Sequence, residues 1–175
     1  EGLAVTCDTA PPYFDLNETA IGEFRTYAKL SPPLRREEDR QAVVAALADG
    51  TIDAIASDHQ PRDADDKRLP FAQAAPGGAG LATLLGVTLA QVHAGTLGLL
   101  DAIGLLTARP ARLLQVEAGR LGKGMPADLC LFHPERAWLV EAGALPGKAQ
   151  NTPFDGRALE GRVLGTWKAG LRVFG

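Results

Sequence analysis

Cysteine is scarce: the 175 residues contain two, Cys7 and Cys130, far apart and in no metal-binding or redox spacing. A cysteine-dense disulfide scaffold and a thiolate zinc cluster are thereby excluded, and the expectation is two buried thiols in a reducing cytoplasm. Histidine is nearly as rare, with His59, His93 and His133 the only three. No apolar run reaches the length of a membrane span, and no basic stretch followed by an apolar one marks an export signal. Positive charge is also in short supply. Lys and Arg total 18 against 21 Asp and Glu, a net charge of −3, which argues against a nucleic-acid surface. No internal repeat or low-complexity segment stands out.

What is present is ordinary globular material, 46% hydrophobic and 22% charged, enough for one domain with a real core or one domain plus a small appendage. Gly (20) and Pro (12) are somewhat high, which implies many tight connections. The first residue is Glu rather than Met, and residues 2–8 already read as a strand. The expectation is the interior of a longer protein.

Two grammars follow one another along the chain. "LAVTCD" (3–8) predicts a short strand, and "APPYFDLNETAIGEF" reads as a loop because Pro11-Pro12 bar regular structure. Glu37, Glu38 and Asp39 then open a helix whose interior is Val43, Val44, Ala46 and Leu47, with Gly50 as its stop. "TIDAIAS" (51–57) is a nearly continuous apolar strand, the pattern of a strand buried on both faces in a parallel sheet. "PGGAG" (76–80) leads into a helix of about four turns, and "LLDAIGLLTARPARLLQV" predicts two shorter helices broken before Pro110. This order is α/β. From "GRLGKGMPADLCLFHPERAWLV" onward the chain turns to short alternating strands, with Ala169-Gly170 as a hairpin turn. The boundary falls near residue 116, dividing an α/β part (1–116) from a β part (117–175).

Functional groups in parallel α/β folds gather at the C-terminal ends of strands. Asp58 stands at such an end, with Cys7 and Asp8 in the analogous place after the first strand. An aspartate there serves as metal ligand or general base, or else as a turn residue tying down loop N–H groups; the local pattern leaves both open. His59, adjacent along the strand, points away from Asp58 and takes a helping or packing role. His93, on an apolar helix face, and His133, after a strand, read as structural. The charged run Arg62 to Arg68 reads as a solvated loop, placed where a lid would lie. The glycine turn 76–80 offers backbone N–H groups to an anion or serves tight packing, and no Lys or Ser/Thr completes a phosphate loop.

Longer motifs carry a resemblance. "KLSPPLRREEDRQAVVAALADGTIDAIASDHQPRDADDKRLPFAQAAPGGAGLATLL", "LTARPARLLQV", "GRLGKGMPADLCLFHP" and "NTPFDGRALEGRV" together resemble the C-terminal half of class I dihydroorotases, in the amidohydrolase superfamily. The resemblance covers essentially the whole chain. It implies the last part of a metal-dependent (β/α)8 barrel followed by the C-terminal strands of a small β-sandwich. It further implies a hydrolase of pyrimidine biosynthesis that interconverts N-carbamoyl-L-aspartate and dihydroorotate, both small anions, with Zn2+ activating a bridging water. On that resemblance Asp58 is metal ligand and proton carrier, and Ser31, Arg62 and Gly77 contact substrate. Four positions depart from the family pattern. Pro12 and Tyr13 stand where "TPHHL" supplies histidine; proline has no donor atom and tyrosine is a poor zinc ligand. Arg62 replaces the second His of "DHAPH", retaining a means of pairing with a carboxylate, and Ser31 replaces the Asn of "NPPLR". Two readings follow: a dihydroorotase with a depleted metal site, or an inactive dihydroorotase-like chain that is a structural partner of aspartate transcarbamoylase. A barrel segment this short leaves sheet edges unpaired, so a homo-oligomer or the rest of a longer chain is expected to complete it.

Overall fold

The structure, a computed structural model, describes residues 3–175. Its parallel pair is short. Strands β1 (Asp8–Thr9) and β2 (Ala54–Ile55) pair with Asp8 opposite Ala54 and Thr9 opposite Ile55. The ladder is extended by the Asp53 N–H donating to the Cys7 carbonyl (3.0 Å) and the Ala56 N–H to the Thr9 carbonyl (2.8 Å). Both residues of β2 are buried, as the apolar run predicts. The strand expected over 3–8 shrinks to its last residue. Leu3 and Val5 are exposed, and side chains with nothing to pack against do not hold a ladder.

The stretch expected to be a loop after β1 contains helix α1 (Pro11–Asp15). Pro11 and Pro12 occupy its first turn, where the missing N–H has no intrahelical partner to lose. The acidic first turn of α2 (Glu37–Ala48) forms as expected, and Gly50 leaves it in the left-handed region at φ +82°. The charged run after β2 carries a one-turn helix, α3 (Ala64–Arg68), capped by the Asp63 side chain. Beyond the glycine turn, a 3-10 turn (Leu81–Thr83) continues into α4 (Leu84–His93), followed by α5 (Leu99–Leu106) and α6 (Ala108–Leu113). The break between α5 and α6 falls at Thr107, and Pro110 sits in the first turn of α6, the position proline tolerates.

Strands β3 (Leu129–Leu139), β4 (Ala158–Lys168) and β5 (Leu171–Phe174) form an antiparallel sheet in that order. Ala169 (φ +49°) and Gly170 (φ +82°) make the expected two-residue turn, both in the left-handed region that such a hairpin requires. His133, expected to follow a strand, lies within β3 beside a register shift that accommodates Pro134. Helix α4 lies close on β4. A Cβ at Gly161, which has φ +100°, would come within 2.5 Å of the Leu89 side chain. One hydrophobic core runs through both parts of the chain: Phe14, Ile55, Val87 and Leu105 pack with Phe154 and Leu159. Asp15 and Arg157 form a two-pronged ion pair across the same region, with burial of Asp15 pushing its carboxyl pKa up against the pull of the guanidinium. The expectation of buried thiols is corrected: Cys7 and Cys130 are both exposed, one just before a short edge strand and the other on β3.

Phe14 is fully buried at the centre of the shared core. Replacing it by alanine leaves a cavity that neither sheet can close, and Phe14→Ala is expected to cost roughly 3–5 kcal/mol in denaturant unfolding.

Candidate active site

Parallel pairing of β1 with β2 brings the chain that leaves each strand to the same end of the sheet. From β1, the first turn of α1 lifts Tyr13; from β2, the chain runs to Asp58. Asp58 itself has φ +43°, a left-handed conformation that aspartate tolerates better than most residues. Its Oδ1 accepts a hydrogen bond from Gln60 Nε2 (2.7 Å), and its Oδ2 lies 3.4 Å from the Tyr13 hydroxyl. The same hydroxyl lies 3.0 Å from the Pro32 carbonyl, so one phenolic proton serves two acceptors. Burial pushes the Tyr13 pKa up to about 12, helped by the Asp58 charge and by the hydrogen bond to it. At neutral pH Tyr13 is therefore a protonated donor facing the carboxylate.

Arg62 and Gly77 meet beside this pair. Arg62 Nε donates to the Pro76 carbonyl (2.8 Å), while no hydrogen bond among the described residues engages its two terminal nitrogens. Gly77 has φ +124°, and a Cβ there would lie 2.9 Å from Gln60 Cβ and 3.2 Å from Arg62 Nε, so only glycine fits. Ser31 is exposed one residue before Pro32, whose carbonyl receives the Tyr13 hydroxyl. Asp58, Arg62, Gly77 and the Ser31-Pro32 stretch are thus gathered around one strand end.

Other residues serve that arrangement or lie away from it. His59 Nδ1 accepts from the Gly80 and Leu81 N–H groups (3.2 and 3.5 Å), organising the turn behind Asp58. His93 Nδ1 lies 2.9 Å from Glu160 on β4, and His133 Nδ1 accepts from the Glu135 N–H; both belong to the packing of the antiparallel sheet. In the glycine turn, the Gly77 N–H donates to the Lys29 carbonyl (2.9 Å) and the Ala79 N–H to the Asn151 carbonyl (3.0 Å). A Cβ at Gly80 would overlap the Ser57 carbonyl. Of the two roles open to this turn, these contacts make close packing the one that the described residues fulfil.

Three participants were not read from the sequence. Gln60 lies two residues past Asp58, within side-chain reach, a proximity that could have suggested it. Asn151 is buried (2% exposed) and contacts both the Arg62 segment and the Gly77 turn, yet nothing local around it signals this. Lys67 corrects the picture of a wholly solvated charged run. It is 3% exposed and donates to the carbonyls of Thr26 (3.1 Å), Lys29 (3.4 Å) and Ala75 (2.8 Å). An apolar stem between charged neighbours on a one-turn helix was the available clue. The fit for a metal is poor within this chain. Among the described residues no group of three or more His, Cys, Asp or Glu is placed to hold a metal ion, and Asp58 would contribute a single ligand.

Burial, with the positive charges of Arg62 and Lys29 nearby, pushes the Lys67 pKa down to about 8 from its ordinary 10.5. The unfolded chain then binds more protons than the folded one between those values. Folding stability should consequently rise as pH increases from about 8 to 10.5, by at most about 1.4 kcal/mol per pH unit, and be flat with respect to this group below 8. Urea unfolding across that range should show the rise in the wild type and a shallower profile in Lys67→Met.

Comparison with known proteins bears on the family and the fold. The amidohydrolase family model matches residues 21–173. The dihydroorotase of Anaplasma phagocytophilum is 42% identical over 174 residues, covering 99% of this chain and 39% of the relative. That of Desulfotalea psychrophila is 44% identical over 169 residues, covering 97% and 40%. The chain therefore spans about two-fifths of the length of these relatives. Among solved structures, the L-hydantoinase (dihydropyrimidinase) of Arthrobacter aurescens superposes with a TM-score of 0.91 at 28% identity, covering 97% of this chain and 39% of that one. A D-hydantoinase (dihydropyrimidinase) from Thermus sp. gives 0.87 at 22% identity, covering 99% and 40%, a likeness of fold. The parallel pair with its helices is accordingly part of a (β/α)8 barrel, with the antiparallel strands appended, and the chain belongs to the amidohydrolase family.

Proposed function

We propose that these residues form part of a dihydroorotase-type cyclic amide hydrolase of pyrimidine biosynthesis, acting in the cytoplasm on N-carbamoyl-L-aspartate and dihydroorotate. The observation that carries this reading is the placement of Asp58. Its carboxylate stands at the C-terminal end of β2, oriented by Gln60, with Arg62 and Gly77 alongside. The roughly 40% identity to dihydroorotases supports the substrate class. In this reading Asp58 carries the proton between the attacking water and the amide nitrogen. The free terminal nitrogens of Arg62 pair with a substrate carboxylate, and the Gly77 backbone and Ser31 border the ring.

Metal dependence is general in this family, and Zn2+ would polarise the amide carbonyl and acidify water. The residues described here do not make a zinc site by themselves. Asp58 is its one proposed ligand, so further ligands must come from elsewhere in the complete protein. Tyr13 supports calling the site depleted, because a protonated phenol takes the place beside Asp58 where the resemblance puts a histidine. That same observation favours the second reading, an inactive dihydroorotase-like chain that associates with aspartate transcarbamoylase.

In the complete protein, Asp58→Ala should lower dihydroorotate hydrolysis by about 100- to 10,000-fold, as measured by absorbance of the ring amide. A wild type with neither activity nor zinc, bound stoichiometrically to aspartate transcarbamoylase, would establish the second reading instead. Tyr13→His should raise the zinc content per chain in metal analysis; unchanged zinc would show that this position does not limit metal binding.

A further inference from the structure

We infer that Asn151 is a positioning residue that holds the Arg62 segment and the Gly77 turn at a fixed separation. The inference rests on the hydrolase reading for its functional consequence. Asn151 lies 89 residues beyond Arg62 and 74 beyond Gly77, in the segment between β3 and β4. Its Nδ2 donates to the carbonyls of Gln60 and Gly77, both at 3.0 Å, and its Oδ1 accepts from the Arg62 N–H at 3.1 Å. The amide orientation is unambiguous, since the reverse would set its oxygen against two carbonyl oxygens. Its own carbonyl accepts from the Ala79 N–H (3.0 Å), tying the turn a second time.

At 2% exposure, no water competes for these bonds, and loss of the side chain would leave buried backbone groups without partners. A planar amide that contacts both segments at once sets the distance between them. Arg62 and Gly77 are two of the three positions assigned to substrate binding, whereas Asp58 receives no hydrogen bond from Asn151 among the described residues. Its loss should therefore fall on binding more than on the chemical step. Next to it, Pro153 packs 3.0 Å from where a Cβ on Gly78 would lie, and the Pro153 carbonyl accepts from Arg25, so the segment carrying Asn151 is itself anchored.

The test uses the complete protein with Asn151→Asp, which keeps the acceptor for Arg62 but turns an oxygen toward two carbonyls, and Asn151→Ala, which removes all three bonds. A core truncation, Leu105→Ala, controls for general loss of stability. For both Asn151 variants, KM for dihydroorotate should rise about tenfold, the effect of about 1.4 kcal/mol, with kcat changed much less. Amide hydrogen exchange should accelerate in residues 60–62 and 77–79 beyond that in the Leu105→Ala control. An unchanged KM in an active enzyme, or acceleration spread over the chain as in the control, would overturn the inference. A wild type without activity refutes the hydrolase reading alone, and the exchange pattern then decides whether Asn151 holds the two segments together.

Discussion

Everything at the candidate site depends on the parallel alignment of two short strands. Four residues form the ladder proper, with one further main-chain bond at each end. Because the pairing is parallel, the chains leaving both strands emerge on the same side. Tyr13 and Asp58, 45 residues apart, thereby come within 3.4 Å of one another. An antiparallel register would have placed them at opposite ends, and no local preference of either segment could have compensated.

Around that alignment, the loops are fastened by cationic side chains reaching backbone carbonyls, with only Lys67 among them buried. Lys67 contacts three of them, Lys29 two, and Arg62 and Arg25 one each. None of these four cations has a carboxylate partner among the described residues. Their positive charge is thus left uncancelled beside the strand end, in a chain whose overall charge is −3. Such a local excess suits the anionic substrate of the proposed reading, and the repulsion of Lys67 by Lys29 and Arg62 contributes to the lowered pKa of Lys67.

Several features were legible because they rest on interactions within a few residues. The acidic first turn of α2, the apolar run of β2, and Ala169-Gly170 as a hairpin turn all express local backbone or dipole preferences. Asp58 was legible for a related reason: an acid at the end of a buried apolar run needs an explanation wherever it lies. The errors came from the same locality. Pro11-Pro12 stop a helix when they fall inside it but begin one when they fall in its first turn, and the sequence does not say which. Lys67 looked solvated because its neighbours are charged, while its burial is imposed by segments 26–29 and 75, which lie some forty residues before it and eight residues after it.

Residue chemistry and spacing alone determined that this is an α/β chain with an acid at a strand end, a glycine turn after it and antiparallel strands to follow. The resemblance to dihydroorotases, rather than chemistry or spacing, marks positions 12 and 13 as a gap where the family pattern has histidine. Only the tertiary structure decided what fills that gap, a phenol held protonated against Asp58. It alone decided that Asn151 joins the Arg62 segment to the Gly77 turn, and that Cys7 and Cys130 face outward. The physical reason is range. Propensity, capping and turn chemistry act over a few residues, whereas desolvation and the geometry of buried hydrogen bonds depend on which distant segments the packed core brings together.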